Sequence, residues 1–182
     1  MNEMKIPIGR SGFEDIRRNG YYYIDKSGLI RELLRTDGRQ VTLITRPRRF
    51  GKTLGMSMLS EFFDIRRENG SLFAGLSIAD DKDLCDTWMN KYPTLFLSFK
   101  SVDGLNFQKA YDKLTGVISD RYKEHLYLIE CDKLDFFTKE TYCQVASQKA
   151  AQGVIENSLL NLTRMMQTYY GKPVILLIDE YD

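Results

Sequence analysis

Cysteine, histidine and tryptophan are scarce in this chain: three, one and one among 182 residues. Cys85, Cys131 and Cys143 are too few and too widely spaced for a disulfide framework or a zinc site, and a reducing compartment fits them best. His125, the lone histidine, has no partner at catalytic spacing and reads as structural. Long apolar runs are missing as well. The longest candidate, Val174-Ile175-Leu176-Leu177-Ile178, falls far short of the roughly 20 residues a membrane-spanning helix needs. Met1-Asn2-Glu3-Met4-Lys5 offers no apolar signal core. The expectation is a cytoplasmic protein of bacterial type with no membrane partner. A formal net charge of +1 gives no global field to draw in nucleic acid.

What is present is a chain with 43% hydrophobic residues, able to bury a real core. Its length suits one domain of ordinary size. Charge is unevenly distributed. Residues 1–52 hold 12 Lys/Arg against 6 Asp/Glu, a balance of +6, and residues 53–182 hold 14 against 19, a balance of −5. The basic excess ends at a Gly-Lys-Thr sequence, as an anion site requires, although solvated surface charge explains it too.

Residues 41–45, Val-Thr-Leu-Ile-Thr, read as a first buried strand. Residues 94–99 and 174–178 read as a second and third, the last too continuously apolar to be half exposed. Tyr21-Tyr22-Tyr23-Ile24-Asp25 is β-prone through its aromatics, and one of those rings stacking on a base is the alternative. Apolar spacing predicts helices over residues 13–18, 81–90, 107 to about 128, and one or two more within 140–170, with Gly153 a candidate joint. Ser27 is expected to cap a helix carrying Leu29, Ile30, Leu33 and Leu34, closed by Thr36-Asp37-Gly38. A further helix follows Gly51 to about Ile65, with Leu54, Met58, Leu59, Phe62 and Phe63 on its inner face. Gly171 and Pro173 mark a helix end. Strands alternating with helices give an α/β fold with a mostly parallel sheet flanked by helices, whose ligands sit beyond the carboxyl ends of the strands.

Arg46-Pro47-Arg48-Arg49-Phe50-Gly51-Lys52-Thr53-Leu54 stands between the first strand and its helix. That layout suits a phosphate-binding loop. Backbone N–H groups and the helix dipole converge on an anion there. Gly51 permits close approach, Lys52 reaches the β- and γ-phosphates, and the Thr53 hydroxyl is offered to Mg²⁺. Arg46 occupies the place of the motif's first glycine, and Pro47 removes one donor. Arg46, Arg48 and Arg49 either clamp phosphate or are solvated loop charges. At the end of the third strand Asp179 is placed to hold Mg²⁺ and Glu180 to orient or deprotonate an attacking water. Asp25 and Lys26 read equally well as neighbours of the nucleotide or as capping and surface groups. Arg121 reads as surface charge rather than as a finger reaching a neighbouring subunit.

These residues resemble the bacterial AAA-ATPase-like family. The variant phosphate loop is similar, as are Ile6-Pro7-Ile8-Gly9, Phe13, Tyr22 to Ser27, Leu29-Ile30, Phe62-Phe63-Asp64, Leu72 to Leu76, Trp88, Tyr92-Pro93, Leu97-Ser98-Phe99 and the closing stretch from Val174 to Asp182. In that family an arginine at the place of Arg46 is usual. The resemblance implies a P-loop NTPase-like domain that uses ATP and Mg²⁺, with residues 1–40 as lead-in and 41–182 as nucleotide-binding core carrying a helical insertion over about 107–170. It also implies that longer members carry a nuclease-superfamily domain of the PD-(D/E)XK type. On that resemblance the chain is expected to be the N-terminal part of a longer ATPase domain, cut short after its acidic strand end; the sheet edge this would leave unpaired invites pairing between chains, so a homo-oligomer is the expectation. The readings stay open among ATP binding with hydrolysis, a nucleotide-gated switch with little or no turnover, and, on the relatives alone, association with nucleic acid.

Overall fold

The computed structural model describes residues 5–35, 41–45 and 50–180. The chain forms two compact units, Met1–Tyr92 and Pro93–Asp182.

The first unit is helical. Its elements are α1 (Phe13–Arg18), α2 (Gly28–Leu34), α3 (Lys52–Phe63) and α4 (Lys82–Trp88), with 3-10 turns at Gly70–Phe73 and Ser77–Asp80. Helix α3 is its axis. Met58, Leu59, Phe62 and Phe63 are buried on the face that the apolar spacing marks out. They meet Phe13 and Ile16 of α1 together with Phe73, and the Phe13–Phe73 and Phe62–Phe73 ring centroids lie 5.0 and 5.3 Å apart. Trp88 covers the edge of this core, edge-on to Phe63 and stacked on Tyr92. The far end of α3 is closed by Asn90, which takes a left-handed conformation with φ 56°. Its side-chain amide donates to the carbonyls of Glu61 and Asp64 at 3.0 and 3.1 Å, and its backbone N–H donates to that of Phe62 at 2.7 Å. The carbonyls orphaned at a helix end are satisfied in this way.

The second unit holds the sheet. Strands β1 (Thr94–Ser98) and β2 (Ile175–Asp179) pair in parallel, with Leu95 opposite Leu176, Leu97 opposite Ile178 and Ser98 opposite Asp179. Between them run α5 (Phe107–Glu124), a 3-10 turn (Leu126–Glu130), α6 (Phe136–Ala146), α7 (Gln152–Glu156) and α8 (Ser158–Tyr170). Leu95, Leu97, Ile118, Tyr122, Leu128, Tyr142, Val145, Leu162 and Met166 form its core. Helix α5 starts where Gly104 allows it: a Cβ there would stand 2.6 Å from the backbone N of Ala110. Helix α8 ends at Gly171, left-handed with φ 64°.

Several expectations are corrected. Residues 41–45 belong to no strand, and Val41 and Leu43 are exposed. An apolar run becomes a strand only where a ladder partner exists, and the sheet among the described residues has two strands, not three. Tyr21 to Asp25 is likewise no strand. The Arg10 guanidinium packs over the Tyr21 ring, Tyr22 is half exposed, and the Tyr23 hydroxyl lies on Met58 Sδ. Strand β2 is less enclosed than its composition suggests, since Leu176 is 43% exposed in so small a sheet. Ser27 makes no capping bond, because its buried hydroxyl turns to residues 77 and 78 instead. Helix α5 stops at Glu124, where buried His125 bonds the Tyr127 hydroxyl and the tighter turn that follows buries Leu128. Gly153 lies within α7 rather than between helices. The turn expected at Thr36-Asp37-Gly38 lies outside the described residues.

Candidate functional site

In the first unit the site residues gather at the start of α3. Gly51 is the N-cap, left-handed with φ 77° and ψ 27°, and the first helical bond runs from the Gly55 N–H to its carbonyl at 2.9 Å. Lys52 and Thr53 open the first turn and Leu54 follows, all three partly buried. Side-chain carboxylates or amides cap α4, α5 and α6, through Asp81, Asn106 and Asp135. Among the described residues helix α3 has no side-chain cap and no acidic residue in its first turn, a state it shares with α2, α7 and α8. Its leading N–H groups and the positive end of its dipole are therefore left for an anion. Phe50 is 57% exposed beside them. Arg46, Arg48 and Arg49 lie outside the described residues.

Lys26, from the lead-in, stands next to this turn. The Lys26 ammonium donates to the Phe50 carbonyl at 3.3 Å. Asp25 accepts from the backbone N–H groups of Ser27 and Ser77 at 2.8 and 2.7 Å. Partial burial alone would raise the Asp25 carboxyl, but these bonds outweigh it and hold it below the usual carboxylate range. The sequence left Asp25 and Lys26 undecided between site and surface. Their long-range partners are residues 50 and 77, contacts that no local spacing reveals.

In the second unit Asp179 ends β2 and is 4% exposed. Its backbone carbonyl accepts from the Phe99 N–H at 3.0 Å, while its side-chain Oδ2 has no hydrogen-bond partner among the described residues. A buried carboxylate oxygen without a donor is costly unless a cation or a water completes it. A carboxylate oxygen is a donor that a hard divalent cation takes, so Asp179 fits Mg²⁺. Glu180 follows, exposed and left-handed with φ 55°. For a non-glycine residue that conformation is unfavourable, and such residues cluster at functional sites. Arg121 pairs with Glu124 at 2.7 Å, in keeping with a surface role.

No group of three or more His, Cys, Asp or Glu side chains is arranged around a metal position among the described residues. A cation here would take its remaining ligands from water and substrate oxygens, the usual habit of Mg²⁺. No described helix is long and apolar enough to cross a membrane.

The architecture is that of an α/β protein whose polar chemistry gathers at a helix start and a strand end. More particularly, the chain belongs to the AAA-ATPase-like family, whose model, described as "Predicted AAA-ATPase", matches residues 7–182. It is also similar, at 30% identity over its whole length, to the "Uncharacterized protein in vnfD 5'region" of Azotobacter chroococcum mcd 1. The chain spans about 30% of the length of that relative. No solved structure matches it.

Proposed function

We propose that this chain binds Mg-ATP and that the protein hydrolyses it. The observation that supports this best is the start of α3. A left-handed glycine there leads into Lys52-Thr53 at a helix N-terminus that carries neither cap nor acid. Membership of a family described as "Predicted AAA-ATPase" supports ATP as the nucleotide, and a P-loop framework is part of the same proposal. In this reading Lys52 neutralises the β- and γ-phosphates, and the N–H groups from Gly51 to Leu54 donate to their oxygens. Thr53 and Asp179 hold Mg²⁺, which when bound neutralises phosphate charge. Arg46, Arg48 and Arg49 screen the same charge from the loop. Glu180 accepts the proton of a water whose oxygen bonds the γ-phosphorus as the bond to the bridging oxygen breaks.

Calorimetric titration with Mg-ATP tests the binding half. Lys52→Ala should weaken binding by at least about tenfold, the loss of one charge-assisted contact of about 1.5–3 kcal/mol. Equal affinity in wild type and variant would sink the reading. For hydrolysis, Glu180→Gln should preserve binding and abolish turnover.

A second reading has a specific observation in its favour. Four helices and a 3-10 turn separate two adjacent parallel strands, far more than a simple crossover needs. Such a segment suits a nucleotide-gated switch acting on a partner or on a downstream effector domain. Tight Mg-ATP binding with negligible turnover would favour it.

A further inference from the structure

Lys26 is a cation that the phosphate-loop motif does not call for, yet it stands against the loop's last residues. Besides its bond to the Phe50 carbonyl, its ammonium lies 3.4 Å from the position a Cβ on Gly51 would take. The backbone that carries it is anchored on both sides. Asp25 bonds the N–H groups of Ser27 and Ser77. The fully buried Ser27 hydroxyl pairs with that of Ser77 at 3.1 Å and accepts from the Ile78 N–H at 3.2 Å. Leu29, just beyond, reaches within 3.9 Å of the Cβ position of Gly55, one turn into α3. Lys26 is thus an exposed, flexible arm on a fixed mount, and its charged tip lies at the mouth of the α3 N-terminus.

An ammonium has three donors, and a neutral carbonyl is a poorer acceptor for it than an ionised phosphate oxygen. We infer that Lys26 is a second phosphate-binding lysine, whose ammonium turns from the Phe50 carbonyl to an oxygen of a nucleoside triphosphate seated at the start of α3. This rests on the nucleotide reading above and adds to it a residue from outside the motif, with Asp25 and Ser27 as positioning residues. A lysine that only braced the loop would make the same bond to Phe50 and contribute nothing to the ligand.

Two measurements on the 182-residue chain separate these cases. In calorimetric titrations with Mg-ATP, Lys26→Gln should weaken binding about tenfold, or ~1.4 kcal/mol. Lys26→Arg should recover most of that loss, and the unliganded melting temperature of both should stay near wild type. In wild type, saturating Mg-ATP should protect Lys26 severalfold from acetylation by a water-soluble N-hydroxysuccinimide ester, read by mass spectrometry. This second measurement decides the matter if the Gln variant fails to fold. The inference is overturned, with the nucleotide reading intact, if Lys26→Gln binds Mg-ATP as wild type does while Lys52→Ala does not. It is equally overturned if bound Mg-ATP leaves Lys26 acetylation unchanged. A wild-type chain that takes up no Mg-ATP overturns both.

Discussion

Gly51 carries two constraints at one atom. Its φ of 77° is a conformation a Cβ penalises by roughly 1–2 kcal/mol, and an added methyl would come into contact with the Lys26 ammonium, 3.4 Å away. Gly51→Ala should therefore lower the melting temperature and weaken Mg-ATP binding together, measured by thermal denaturation with and without nucleotide. Glu61 offers a different handle. It is buried on α3, accepts a hydrogen bond from Asn69, and lies 3.9 Å from Arg67. Burial pushes its carboxyl above the ordinary 4.5, against the attraction of Arg67. A carboxyl whose folded pKa is raised contributes stability that is complete below the unfolded pKa and lost as pH rises through the folded one. Glu61→Gln removes that titration. Its melting temperature relative to wild type should climb as pH goes from 4 to 8, and a flat difference across that range would refute the account.

At the scale of elements, the closure of α3 by Asn90 makes the sharpest case. Asn90→Gly keeps the left-handed backbone and loses the side-chain bonds to the carbonyls of Glu61 and Asp64. Asn90→Ala loses both. We expect Gly to cost about 1–2 kcal/mol and Ala roughly 1 kcal/mol more, from chemical denaturation. Helices α1 and α3 were legible in the sequence because their apolar residues recur at helical spacing around Phe13 and Met58. Strands β1 and β2 were legible because Pro93 and Pro173 bound their apolar runs. Residues 41–45 have the same local character and form no strand, since strandhood depends on a ladder partner that the run itself does not encode. The end of α5 was missed for a similar reason. Tyr127 and the space for Leu128, rather than the propensity of residues 125–128, set it.

For the molecule as a whole, Lys52 and Thr53 belong to the first unit and Asp179 and Glu180 to the second. The loop motif and the acidic strand end were both readable as short sequences. That Asp179 is buried with an oxygen unpartnered among the described residues was not readable, because burial is set by the fold around it. If all these residues serve one nucleotide, Lys52→Ala and Asp179→Asn should be coupled in Mg-ATP binding. The double variant should then lose clearly less than the sum of the singles, by more than the ~0.5 kcal/mol within which independent sites add. Strict additivity would mean two separate sites. The cores that hold these residues in place are vulnerable in the ordinary way. Leu97→Ala, at a fully buried position of β1, should cost about 2–5 kcal/mol of stability in a denaturant titration.

The anchoring of Asp25 and Ser27 to residues 77 and 78 also sets an order of events in folding. Those hydrogen bonds join partners 50 to 52 residues apart. Such a loop closes at an entropic cost that local helices never meet, so contacts of this kind tend to form late. The mount for Lys26 would then be assembled after α3 itself has formed. Nucleotide would find its full set of cations only on the native side of the transition state. Mg-ATP should therefore leave the refolding rate nearly unchanged and slow unfolding, and stopped-flow refolding and unfolding with and without nucleotide would show it.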